Sequence, residues 1–150
     1  MRSEGTRWLV RDKRRFLLAI MEELAGNVHI SFEGNLRNLR LGSIPGASEA
    51  ETVALKRNTL WPKQDFMVLP LEPSMGEPIL SAIGGTVPGS IIHVQVEKEG
   101  VLEFGAYDNF HPECIYFRGG VRQEFLESML SQGLLKSVLG PPDARTATDK

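Results

Sequence analysis

Ile92-His93-Val94-Gln95-Val96-Glu97-Lys98-Glu99-Gly100-Val101-Leu102-Glu103-Phe104-Gly105-Ala106-Tyr107 is the stretch whose reading decides the fold. Ile92, Val94 and Val96 alternate with His93, Gln95 and Glu97, and Leu102, Phe104 and Ala106 alternate with Glu103, Gly105 and Tyr107. Period-2 alternation on either side of a glycine predicts a β-hairpin with one apolar and one polar face. A three-residue loop, Lys98-Glu99-Gly100, puts Gly100 where a type I turn with a bulge needs a left-handed residue. That register sets Val96 against Leu102, Val94 against Phe104 and Ile92 against Ala106. On the polar face it sets His93 against Gly105 and Gln95 against Glu103, with Tyr107 diagonal to His93. Gly105 then leaves space beside His93 for a ligand.

Upstream, Val28–Glu33 repeats the pattern, with Val28, Ile30 and Phe32 on one face and His29, Ser31 and Glu33 on the other. Before it, Asp12 is a good N-cap for a helix over 12–25 whose apolar face is Phe16, Leu17, Ile20, Met21 and Leu24. Gly26 and Asn27 stop that helix, since both tolerate left-handed backbone. Trp8, Leu9 and Val10 read as a short strand or an apolar lead-in. Gly34–Ala47 reads as irregular, held down by Leu36, Leu39, Leu41 and Ile44. The Ser48-x-x-Glu51 spacing is a capping box, which predicts a short helix to about Arg57.

Asp65–Leu71 is apolar on both faces, which points to a central strand, although Pro70 cannot donate in a ladder. Ile79–Ile83 reads as one or two helical turns and Cys114–Phe117 as a further strand. The Gly119-Gly120 pair then turns the chain into a helix from about Val121, with Val121, Phe125, Leu126, Met129 and Leu130 on its apolar side. Leu134–Leu139 is a terminal strand or a continuation of that helix. Met21 and Met129 read as core, and Trp61 as packed on the sheet, the alternative being an exposed anchor for a partner. The order does not alternate strand and helix regularly. The expectation is therefore one α+β domain over 1–139, with a five- or six-stranded, mainly antiparallel sheet and helices packed on one face. Residues 140–150 are expected to form a flexible tail.

The composition is that of a globular protein, with 41% hydrophobic and 24% charged residues. Net charge is −2, with 11 basic and 8 acidic residues up to Asp65 and 6 basic and 11 acidic beyond it. Arg2, Arg7, Arg11, Lys13, Arg14 and Arg15 make the N-terminal helix a candidate nucleic-acid contact, against the plainer reading of a solvated helix face. Cys114 is the only cysteine, so no intramolecular disulfide forms. No apolar run reaches the length of a membrane span and no signal-peptide pattern is present, so a cytoplasmic location without a membrane partner is expected.

His29-Ile30-Ser31 and His93-Val94-Gln95 carry the strongest hint of chemistry. In both strands the histidine, the next polar residue and a glutamate share one face. If the strands are neighbours, one imidazole can serve as base and the other as acid. The pattern resembles the His–apolar–Thr/Ser motifs of the two-histidine phosphoesterases over two six-residue stretches. That resemblance implies hydrolysis or formation of cyclic-phosphate linkages in RNA or nucleotides, without metal, by His29 and His93. Gln95 departs from it, standing where a phosphate-holding hydroxyl belongs. The alternative is the wet face of an antiparallel sheet, where these residue types are ordinary.

Asp108, His111 and Cys114 do not by spacing make a nucleophilic or zinc site; a structured turn with Asp108 and Asn109 bonding their own backbone and Cys114 buried fits them. Gly119-Gly120 has a loose likeness to an anion-cradling turn and reads more simply as a tight turn. No motif specifies a cofactor or metal. The leading expectation is thus a small non-enzymatic protein that recognises another macromolecule, a protein in the first instance, as an immunity- or antitoxin-like inhibitor does. The candidate contacts are Ser31, Glu33, Gln95, Tyr107, Asp108 and His111, together with the loops Gly34–Ala47 and Asp108–Glu113.

Overall fold

A computed structural model describes residues 6–139. The expected tail 140–150 lies outside the described residues. The elements in order are β1 (Thr6–Val10), α1 (Lys13–Leu24), β2 (Val28–Gly34), β3 (Asp65–Leu71), α2 (Gly76–Ile83), β4 (Ile91–Lys98), β5 (Val101–Ala106), β6 (Ile115–Phe117), α3 (Gln123–Ser131) and β7 (Leu135–Leu139). Leu41–Ser43 and Pro112–Cys114 are single 3-10 turns. The fold is α+β. Five antiparallel strands in the order β3-β2-β4-β5-β6 form the main sheet, and β1 and β7 form a separate antiparallel ribbon.

The local signals explain most of these elements. Asp12 caps α1, its carboxylate accepting from the Arg15 amide at 3.1 Å. Gly26 and Asn27 end the helix with φ of 112° and 61°. Phe16, Leu17, Ile20, Met21 and Leu24 bury the predicted face against Val28, Ile30, Phe32, Leu69, Val94, Val96 and Phe104 of the sheet. Each such side chain contributes roughly 1.5–3 kcal/mol by leaving water. Met129, like Met21, is in this core, as are Val121, Phe125 and Leu126. Leu130, also expected there, is 37% exposed, because it lies at the margin of the α3 face. Trp8, Phe16, Phe104 and Phe117 make a connected aromatic group, the Trp8 and Phe117 rings meeting edge-on at 5.5 Å. Trp8–Val10 and the segment after Gly133 both resolve as strands, paired with each other.

Three expectations are corrected. The hairpin turns on two residues, Glu99 and Gly100, with φ of 53° and 81°, and Lys98 pairs Val101. A register shift between Val96 and Glu97 then sets Val96 against Phe104 and Val94 against Ala106. The bulge changes which face Leu102 takes. Leu102 pairs Glu97 and packs with Phe66 and Val68 on the far side of the sheet, away from Phe104.

The second correction concerns β3, which is an edge strand and not a central one. Met67, Leu69 and Leu71 face the main core side, while Phe66 and Val68 belong to a second, smaller apolar cluster with Leu55. Apolar residues on both sides reported two covered faces, and Pro70 is at home on an edge.

The third correction is the helix over Ser48–Arg57, which does not form. Ser48 bridges Val68 at the edge of β3, and residues 49–64 cross the polar face of the sheet as an irregular strap. Glu51 does accept a backbone bond, but from Arg57 at 2.7 Å and not from the Ser48 amide a capping box requires. The segment 35–47 is irregular as expected, with Leu36, Leu41 and Ile44 buried and Leu39 packed against the core.

Candidate functional site

The polar face of the main sheet is covered over its middle. Ser31, Glu33, Gln95 and Glu97 are all buried, Glu33 to 1% exposure, because the strap lies over them. A buried carboxylate must be hydrogen-bonded to be tolerated, and the strap supplies the donors. The two oxygens of Glu33 accept from the amides of Asn58 at 2.8 Å and Thr59 at 3.1 Å. Glu97 accepts from the Thr52 hydroxyl at 2.7 Å and the Ala54 amide at 3.0 Å. Gln95 donates to the Ser31 hydroxyl at 3.2 Å and to the Lys56 carbonyl at 2.9 Å, and its oxygen accepts from the Tyr107 hydroxyl at 3.1 Å. Glu97, Gln95 and His93 meet strap residues 52–54, 56 and 59 in turn, so the strap runs antiparallel to β4. Leu55 fills the space between the clamps with Phe66, Val68 and Leu102.

His93 completes the row. Its Nε2 lies 3.0 Å from the Thr59 hydroxyl and its Nδ1 accepts from the Asp108 amide at 3.2 Å. An accepting Nδ1 places the proton of the neutral ring on Nε2, so Nε2 donates to Thr59. Gly105 faces Gln95, not His93, and the space its missing side chain leaves holds Tyr107. A Cβ there would stand 2.7 Å from the Tyr107 ring. No room for a ligand remains at that point. Burial holds the Tyr107 phenol above its usual range, and the nearby Tyr116 adds to the rise.

His29 lies apart from this row. It is exposed at the start of β2, opposite Glu97 and Pro70, whereas His93 is opposite Glu33. Four residues along a strand separate the two positions by roughly 13 Å. The covered Ser31–Gln95 pair lies between them. The structure does not bring the two imidazoles together over one cleft.

Asp108, Asn109 and Phe110 have φ of 55°, 53° and 62°, three successive left-handed residues without a glycine. The loop's own backbone closes on itself, the His111 amide donating to the Tyr107 carbonyl at 3.1 Å, but Asp108 and Asn109 bond other segments and not their own backbone as the sequence suggested. The Asn109 amide donates to the Ile92 carbonyl at 2.8 Å, and its side chain donates to the carbonyls of Ile91 at 2.7 Å and Pro88 at 3.3 Å. Lys13 reaches the Asn109 side-chain oxygen, and Phe110 is buried. His111 is exposed, its Nδ1 accepting from the Glu113 amide at 3.1 Å. Cys114 is half-buried and not in the core, since the 3-10 turn ends there. Burial, then Asp108 and Glu113, push its thiol above the usual range, the opposite of an activated nucleophile. The Gly120 amide donates at 2.9 Å to the carboxylate of Glu103, so the anion at the Gly119-Gly120 turn is the protein's own. Among the described residues no cluster of His, Cys, Asp and Glu could hold a metal. Nor is any helix long and apolar enough to cross a membrane.

What the strap shows to solvent is the feature that sequence reasoning underrated. Trp61 is 86% exposed and Leu60 93%, and Val53 is 79% exposed at the other end of the strap. Trp61 does not pack on the sheet, because the clamps hold the chain by its backbone and leave these side chains pointing away. The Asn58 and Thr59 amides are fixed by Glu33 immediately before Leu60, and Arg57 donates to the Gln64 carbonyl at 2.6 Å, closing the base of the loop. Adjacent Leu, Trp and Pro in a loop was the available signal.

These features define an α+β protein whose sheet carries helices on one face and a hydrogen-bonded strap on the other. No family model matches the chain, and no significant match to it is found among curated proteins or solved structures.

Proposed function

We propose that this protein is a non-enzymatic module that binds another protein through the tip of its strap. The observation that carries the reading is the exposed Leu60–Trp61 pair on a loop anchored by buried hydrogen bonds. A large apolar pair in water costs free energy, and an anchored loop has already lost the entropy that binding would otherwise take from it. Tryptophan is among the residues most enriched at the centres of interfaces. Of the residues that looked chemical in the sequence, Glu33 and Gln95 serve in this reading as clamps that present the loop, and Ser31 accepts a bond from Gln95.

The test is site-directed photo-crosslinking in cells that naturally make the protein. A photoreactive phenylalanine analogue at position 58, beside the tip, should give a discrete adduct that disappears when Trp61→Ala is added. The same analogue at position 138, on β7, should not give that adduct. The same products from both positions, or an adduct indifferent to Trp61→Ala, would reject the reading.

A further inference from the structure

The surroundings of Leu60–Trp61 carry an excess of basic side chains. Residues 35–65 hold five basic and three acidic side chains in a chain whose net charge is −2. None of Arg37, Arg40, Lys56, Arg57 and Lys63 is in an ion pair among the described residues. Arg37, Arg57 and Lys63 line a cleft of about 460 Å³ that has Phe66 and Met67 among its apolar walls. Arg57 is fixed there, its guanidinium 5.1 Å from the centre of the Phe66 ring and bonded to the Gln64 carbonyl. The loop that carries Leu60 and Trp61 thus also supplies two of the cations of the cleft. Glu49 and Asp65 also line it, and Asp65 is already engaged by the Leu36 amide at 2.9 Å.

We infer that the strap tip and this cleft together dock an acidic polypeptide segment bearing at least one large apolar side chain. The inference rests on the protein-binding reading above and names the partner's chemistry. The apolar side chain covers Leu60 and Trp61, and flanking carboxylates lie against Arg37, Lys63 and the free edge of Arg57. Charges of this kind steer approach and select the partner, while the aromatic anchor holds it. A single-stranded nucleic acid would use the same cations but needs faces on which bases stack. Only one aromatic stands at this tip, and its exposed neighbour is the aliphatic Leu60, which suits an apolar side chain better than a base.

Selection of twelve-residue random peptides against the immobilised full chain tests this. Recovered sequences should be enriched in Asp and Glu around a large apolar residue. A synthesised member should shift the emission of Trp61 to the blue, readable because the other tryptophan, Trp8, is buried. Added salt should weaken binding. Arg37→Glu combined with Lys63→Glu should weaken it roughly tenfold or more with an unchanged melting temperature, both side chains being exposed. The inference is overturned if the recovered peptides carry no acidic bias, or if no peptide is enriched. It is equally overturned if the charge reversals leave affinity unchanged, or if oligothymidylate shifts Trp61 at lower concentration than the peptide does. Any of these with the Trp61-dependent crosslink intact removes the acidic partner and leaves the binding reading standing.

Discussion

Glu33 shows how one side chain can be misread when its cover is unknown. In the sequence it lies on the polar side of an amphipathic strand, next to His29 and Ser31, and that alternation is correct. In the fold its carboxylate grips two consecutive amides of a segment 25 residues away. Glu33→Ala should leave both amides without acceptors, at about 1–3 kcal/mol for each that stays buried. Because the strap can lift and rehydrate, we expect a total of about 2 kcal/mol. Hydrogen exchange should accelerate at residues 52–59 while the amides of α1 keep their protection. Uniform acceleration through α1 would mean that the clamp supports the whole fold and not the strap. Cys114 gives a second prediction. With its thiol pushed up by burial and two carboxylates, it should react with iodoacetamide at pH 8 more slowly than a cysteine in a short peptide, and catch up only as pH rises well beyond the ordinary thiol range. The cover over Glu33 comes from a distant part of the chain and was not legible from its neighbours, whereas the carboxylates beside Cys114, Asp108 and Glu113, are near it in sequence.

Among the elements, α1 was legible in full: cap, apolar face and stop all follow from contiguous residues. The strap was not. Ser48-x-x-Glu51 is a valid helix start in isolation, but the amides of Ala54, Leu55 and Arg57 are taken by the side chains of Glu97, Thr52 and Glu51 and cannot also serve a helix. The hairpin was legible in its two strands and misread at its turn, because Glu-Gly is an unusual pair for a two-residue turn with both residues left-handed. Asparagine is preferred at the first of these positions. Glu99→Asn should therefore stabilise the protein by roughly 0.5 kcal/mol, read as a raised urea midpoint with an unchanged slope. A fall in stability would show that Glu99 has a role beyond its backbone. β3 teaches the related lesson that two apolar faces report two covers and say nothing of position in the sheet.

At the scale of the molecule, polar ties between helices add to the apolar packing of helices on the sheet. One is the pair between Glu23 of α1 and Arg122 at the start of α3, at 2.7 Å. The Arg122 bond holds the Glu23 carboxyl below its usual range although burial opposes this. A carboxylate favoured in the folded state stabilises above its unfolded titration range, and the gain is lost as pH falls through the lowered folded value. The stability difference between the parent and Arg122→Ala should therefore be present at neutral pH and shrink towards zero on acidification, as measured by urea melts over pH 2–7. A constant difference would mean that the arginine acts through packing. Local sequence determined the α+β class, the strand and helix faces, the caps and most of the core, because each follows from side-chain period and from backbone preferences of adjacent residues. Tertiary structure alone decided that the polar sheet face is covered, that His29 and His93 lie apart, and that Leu60 and Trp61 face solvent. Those outcomes depend on which distant amides meet buried carboxylates, and no local pattern encodes that meeting.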